Sequence, residues 1–271
     1  MEKLTRIEIE DLIYCDGKLN FQNADLSNLD LSDLDLSEVN FEKVNLKGAD
    51  LSGALLYKAN LYSAELEGAM LQGAKMEKAN LYSAQLNGAD LKGANLEGAY
   101  MIKVNLKDAN LEAANLSLAN LEEANMFNAN LIDAQMVGAN LEGACLTNAN
   151  LSGANLSGAN MESSFMACAN LDSANMESVN LKGAILIKTN MGNAQMVGAN
   201  LEGACLVYAN LDRANMESVN LKEAFLKGAN MANVNLQGAN LENADLTNVD
   251  LTYIELDGVN LKGTISELEV A

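Results

Sequence analysis

The chain of 271 residues is 49% hydrophobic and carries a formal charge of −20, from 37 acidic and 17 basic side chains, with no Pro, Trp or His. Such a balance repels nucleic acid and anionic lipid, favours basic partners, and keeps a sheet-rich surface soluble. Without histidine there is no imidazole base and zinc loses its usual nitrogen ligand, while cysteines 15, 145, 168 and 205 show no CxxC or metal-ligand spacing.

The opening segment MEKLTRIEIEDLIY has no basic head leading into an unbroken apolar run, and nowhere is there a stretch long enough for a membrane helix. It does not read as a signal peptide, and reduced thiols in a cytoplasmic setting are the expectation. Ile7 and Ile9 alternate with Glu8 and Glu10, and Asp16-Gly17 is a turn signal. Residues 1–18 are therefore expected to form a cap, a strand or short helix covering the segment that begins at Leu19.

From Leu19 a five-residue register runs without insertion over 19–263. Every fifth residue from Phe21 to Leu261 is Leu, Met or Phe, 49 times in 49. Two positions before this centre, 35 of 49 residues are Ala, and one position before it 35 of 49 are Asn or Asp. Two positions after it fall 18 of the 20 glycines. A period of five is neither helical nor that of a plain strand. Two apolar residues split by one polar residue suit a short extended piece, and the glycine site suits a type II corner that needs φ > 0. The Asn site is expected to bond the turn rather than a metal.

The number of repeats per coil can be read from the exceptions. Cys145, Phe165, Ile185, Cys205 and Phe225 replace Asn or Asp at intervals of 20 residues, and KANLYSA recurs at 58 and 78. ANMESVNLK recurs at 174 and 214, and QMVGANLEGACL at 135 and 195. All offsets are multiples of 20, where a bare pentapeptide demands only multiples of five. Four repeats close one coil. About twelve coils at a spacing of ~4.8 Å predict a rod roughly 58 Å long. Larger residues at the Ala site, such as Leu29, Leu34 and Ile254, gather near the ends, and 264–271 is a short tail that closes the far end.

The unit Ala94-Asn95-Leu96-Glu97-Gly98, repeated across 19–263, resembles the pentapeptide-repeat family. The resemblance implies an all-β fold, a right-handed quadrilateral β-helix whose centre and Ala-site residues point inward while the other three point outward. It also implies a protein that is not an enzyme. The residues agree: inward Leu and Ala offer no concave pocket of converging titratable groups, so no catalytic, cofactor or metal residues are assigned.

One column of outward residues stands apart. It carries Phe127, Cys145, Phe165, Ile185, Ile187, Cys205, Val207, Tyr208 and Phe225, no acid, and only Lys188 and Lys227 as charges. The other columns hold Glu122, Glu142, Glu162, Glu202, Asp172 and Asp212. Apolar groups stacked in one outward column form a continuous strip of the size that marks contact surfaces, for self-association as a homodimer or for another protein partner. A second cluster, Tyr62, Tyr82, Tyr100 and Ile102, reads as stacking between coils. The principal functional expectation is a scaffold or interaction protein, without direct nucleic-acid or membrane contact. The alternative is the DNA mimicry that the resemblance implies, with DNA gyrase or another type II topoisomerase as partner and quinolone protection as outcome. Charge density weighs against it: ~58 Å of duplex carries roughly 34 charges, against 20 net here.

Overall fold

The computed structural model describes residues 4–14, 19–252 and 254–265. Cys15, the Asp16-Gly17 turn and the tail residues Leu268 and Val270 lie outside them. The chain divides into two compact units, Met1–Gln135 and Met136–Ala271.

The first unit opens with helix α1, Arg6–Tyr14. Thr5 and Glu8 supply the reason. The Thr5 N–H donates to Glu8 Oε2 at 2.7 Å and the Glu8 N–H points to Thr5 Oγ1 at 3.4 Å, a reciprocal cap on two otherwise orphaned donors. The Ile7/Ile9 alternation is thus not a strand. On the helix Ile9 is buried while Ile7 is exposed. Arg6 fastens α1 to the first turns: its guanidinium donates to Glu10 at 2.7 Å, Asp30 at 2.6 Å and the Ser32 carbonyl at 3.0 Å. These carboxylates, Glu10 first, raise the Arg6 pKa.

Both units are built from 20-residue coils. Parallel bridges join residues 20 apart, from Asn20 with Asn40 to Asn115 with Gln135 in the first unit, and from Asn140 with Asn160 to Asp245 with Ile265 in the second. Each side of a coil contributes a single bridged residue rather than an extended strand. Centre and Ala-site residues are buried almost throughout, and the Met centres, including Met126, Met166 and Met216, lie in the core. At the first coils Leu19, Leu29 and Leu34 are only half-buried. Among the described residues two core positions are polar: Thr189 Oγ1 donates to the Met166 carbonyl at 2.9 Å, whereas Ser164 Oγ is buried without a partner.

The five backbone N–H groups of one repeat show why the sequence repeats as it does. Ala94 N–H closes the turn on the Leu91 carbonyl at 2.9 Å, and Asn95 N–H reaches back one coil to Ala74 at 2.9 Å. Leu96 and Gly98 reach forward one coil, to Asn115 at 2.7 Å and Ser117 at 2.9 Å. The fifth, on Glu97, has no backbone acceptor; it donates to Asn95 Oδ1 at 3.3 Å. The Asn site therefore completes the backbone's hydrogen bonding. The corner after it requires a left-handed residue: 18 glycines occupy it, with φ of 62–74°, and so do 30 other residues, Asn, Ser, Lys and Leu118 among them, near +55°. A non-glycine residue is disfavoured there by about 1 kcal/mol. The inter-coil bonds on both sides of the corner hold it in place.

Candidate interaction surface

The strip residues other than Phe127 belong to the second unit. Phe127 lies in the first, half-buried, with the Lys107 ammonium 5.8 Å from its ring centroid. Within the second unit, bridges run Cys145–Phe165–Ile185–Cys205–Phe225. Five mid-face side chains thus stack at successive coils, over roughly 19 Å at ~4.8 Å per step.

Exposure is uneven along this column. Phe165 and Phe225 are 51% and 52% exposed, while Cys145, Ile185 and Cys205 between them are half-buried. Along the following corner, Ile187 and Val207 are half-buried and Tyr208 is 57% exposed. Tyr208 leans over Gly228: a Cβ there would stand 2.6 Å from Tyr208 Cε1. Gly228 thus serves twice, for its φ of +65° and for the room it leaves the ring. The repeat pattern marks it as a corner glycine only; the tyrosine 20 residues earlier is the available signal. The preceding corner carries Gly143, Ser163, Gly183, Gly203 and Glu223, with Glu223 3.6 Å from Lys222.

The column ends at Asp245, bridged to Phe225. Thr247 donates to Asp245 Oδ1 from its hydroxyl at 2.6 Å and from its N–H at 3.0 Å. These bonds, with Lys227 nearby, hold the carboxyl below its usual range. One coil further Ile265 is 61% exposed, an apolar residue on the same column beyond the strip that the sequence marks out.

The neighbouring faces of this unit are built differently. Asn160, Asn180, Asn200, Asn220, Asn240 and Asn260 each donate from Nδ2 to the Oδ1 of the asparagine one coil earlier, at 2.9–3.2 Å. Each Oδ1 also accepts a turn N–H, as from Lys182 to Asn180 at 3.3 Å. A second ladder runs from Asn150 to Asn230. The acids sit on the corners beside these ladders, partly neutralised, as at Lys182–Glu202, 3.2 Å, where the lysine lowers the Glu202 pKa. On the strip, the Phe165, Ile185 and Phe225 side chains offer no acceptor to the N–H groups of Ala167, Ile187 and Lys227.

In the first unit Tyr62, Tyr82 and Tyr100 stack as expected, with centroids 5.4 and 6.1 Å apart. A cleft of about 260 Å³ in the second unit, lined by Met231, Asn233, Asp250 and Thr252 among others, holds one titratable group among the described residues. That group, Asp250, is bonded to Thr252. Cys145, Cys168 and Cys205 are free thiols. Among the described residues no helix is long and apolar enough to cross a membrane.

Comparison with known proteins agrees with this geometry. The family model for pentapeptide repeats matches eight times, from residues 20–56 to 226–263. HetL, a pentapeptide repeat protein involved in heterocyst differentiation regulation from the cyanobacterium Nostoc sp. strain PCC 7120, is 30% identical over 87% of this chain and 96% of its own, with a TM-score of 0.64. The pentapeptide repeat protein alr5209 from Nostoc PCC 7120 is 34% identical over 38% of this chain and 84% of its own, at a TM-score of 0.33. QnrB1, a plasmid-mediated fluoroquinolone resistance protein, is 19% identical over 92% of this chain and 88% of its own, also at 0.33. No curated protein sequence matches.

Proposed function

The chain belongs to the pentapeptide-repeat family, whose fold is the right-handed quadrilateral β-helix and whose members are generally non-enzymatic structural or interaction proteins; on that premise we propose that it is a protein-interaction scaffold whose contact surface is the strip from Cys145 to Phe225. On this reading residues 1–18 cap about twelve coils over 19–263 and 264–271 form the tail. The three free thiols support a reducing, cytoplasmic setting.

The observation that carries the reading is what the strip gives up. The asparagine ladders of the second unit spend their mid-face side chains on completing the turn. Three of the five strip residues abandon a bond worth about 1 kcal/mol apiece, and Cys145 and Cys205 supply only a weak thiol acceptor. They place two half-exposed phenylalanines on the surface instead. Burying these against a partner returns roughly 25 cal/mol per Å² of apolar area.

Phe165→Asp combined with Phe225→Asp tests it. Both side chains point outward, so circular dichroism should report an intact fold. Chemical cross-linking in the source cells should show a species with wild type that the variant lacks. A cross-linking pattern identical for both proteins would refute the contact surface.

A second reading rests on the formal charge of −20: an acidic DNA mimic that engages a type II topoisomerase. It requires inhibition of gyrase supercoiling that falls steeply with salt. No inhibition at micromolar protein in low salt removes it.

A further inference from the structure

The order of side chains along the strip identifies its occupant. Read upward the mid-face column is Cys145, Phe165, Ile185, Cys205, Phe225. Read downward it is Phe, Cys, Ile, Phe, Cys. Laid against a reversed copy of itself about Ile185, each phenylalanine meets a cysteine and Ile185 meets its own equivalent.

We propose that the strip pairs with a second copy of this chain, antiparallel, on a two-fold axis through Ile185. This rests on the contact-surface reading above and adds its partner and register. A two-fold contact requires that if residue i meets j, then j meets i. Phe165 opposite Cys205 of the second copy and Phe225 opposite Cys145 satisfy this, and set large against small as interdigitating surfaces require.

The flanking columns follow the same rule. An antiparallel two-fold lays each corner on its own equivalent. Along the following corner Ala167 meets Val207, Thr147 meets Lys227 and Ile187 meets itself. Along the preceding corner Ser163 meets Gly203, Gly183 meets itself, and Glu223 meets Gly143 rather than another acid. A parallel pairing would set phenylalanine on phenylalanine and cysteine on cysteine, leaving gaps at the small residues.

Charge selects the same partner. Two copies of a chain with net charge −20 repel, least through the face whose following corner, from Thr147 to Gly228, carries no carboxylate, where the other corners of this unit carry Glu162 and Glu202, Asp172 and Asp212, or Glu177 and Glu217. The like-charge meetings in this register fall at the corners: Lys188 and Lys182 each meet their equivalents, exposed where the ammonium reaches water, and Glu162 meets Glu202, which Lys182 of its own chain pairs at 3.2 Å. The contact is small. A strip of this length buries less than the ~800 Å² per partner of a standard interface, so the dimer forms in the micromolar range or above.

The experiment is cysteine trapping combined with sedimentation. In a background of Cys15→Ser, Cys168→Ser and Cys205→Ser, the remaining Cys145 faces Phe225 of the second copy, and no thiol is left on the coil bridged to residue 185 to close a disulfide within one chain. Diamide should leave that background protein uncross-linked. Adding Ile185→Cys places two thiols on the axis, and diamide should convert them to one intermolecular disulfide, taking up their two hydrogens. Sedimentation of wild type between 1 and 200 μM, roughly, should show a monomer–dimer equilibrium, with Phe165→Asp and Phe225→Asp together raising the dissociation constant at least ~100-fold. Wild type that stays monomeric overturns the self-pairing and leaves the contact surface to another partner. A dimer whose Ile185→Cys form does not cross-link, or links Cys145 to Cys145, overturns the register alone. A dimer indifferent to both Asp substitutions overturns the contact surface itself.

Discussion

In the second unit two ladders climb the same helix on adjacent faces and use the same backbone. On one, Asn160 to Asn260, every side chain accepts a turn N–H and donates to the coil before it. On the other, Cys145 to Phe225, the bridges persist but the side chains form no such ladder. The backbone does not need the asparagine to form a coil, since the bridges and turns along the strip are the same: Ile185 N–H still reaches the Ser164 carbonyl at 2.9 Å and Cys205 N–H the Ala184 carbonyl at 2.9 Å. What asparagine adds is the fifth hydrogen bond and a chain of amides. Stability is therefore distributed unequally around the coil, and the face that contributes least to it is the one made apolar.

The sharpest way to break this comparison is at the polar ladder. Asn180→Ala deletes the bond to Asn160 at 3.0 Å, the bond from Asn200 at 3.1 Å and the bond from the Lys182 N–H at 3.3 Å. About 2 kcal/mol of unfolding free energy should be lost. Ile185→Ala, at the matching site of the strip, removes a half-buried side chain and should lower stability by only about 1 kcal/mol. Urea unfolding of both variants checks the ranking, and equal losses would mean that the ladder amides contribute nothing beyond their packing.

A smaller effect appears with pH at the strip's end. Thr247 lowers the Asp245 pKa in the folded state. The resulting stabilisation is fully present above the unfolded carboxyl pKa of about 3.9 and is lost as pH falls through the folded value. Unfolding midpoints by circular dichroism should thus show no Asp245 contribution to any change between about pH 8 and 5. Below about pH 4 wild type should lose more than Asp245→Asn, whose amide keeps the acceptor without titrating. A difference that grows between pH 7 and 5 would place the Asp245 pKa above its normal range.

Much of this was legible in the chain itself. The 20-residue coil was written in the spacing of Cys145, Phe165, Ile185, Cys205 and Phe225, because residues that deviate together sit on one face. The inward and outward positions were legible because packing tolerates only large apolar residues at the centre and small ones beside it. Helix α1 was less so: the Ile7/Ile9 alternation left a strand or a short helix open, and the decisive signal was Thr5 with Glu8, three residues apart. Hydrogen bonding at the end of a nine-residue segment outweighed its periodicity. That the Tyr208 ring leans across one coil step onto Gly228 could not be read from the repeat, which signals only that the two stand 20 residues apart. Nor could the split of exposure between Phe165 and Ile185, which share a site type and differ in reach. Lys107 beside Phe127 follows from their 20-residue spacing, whereas the division that leaves Phe127 in the first unit is a matter of three-dimensional neighbours.

The central claim is that the strip serves contact and not the stability of the coil. Phe165→Asn, Ile185→Asn and Cys205→Asn together rewrite its middle as an asparagine ladder, supplying acceptors to the Ala167, Ile187 and Val207 N–H groups. The unfolding free energy of this triple variant is the most direct test. The loss of half-buried apolar contacts and the gain of turn and ladder bonds should offset, leaving stability within about 1 kcal/mol of wild type or above it. A loss of about 3 kcal/mol or more would contradict the claim and make the strip a packing element of the helix.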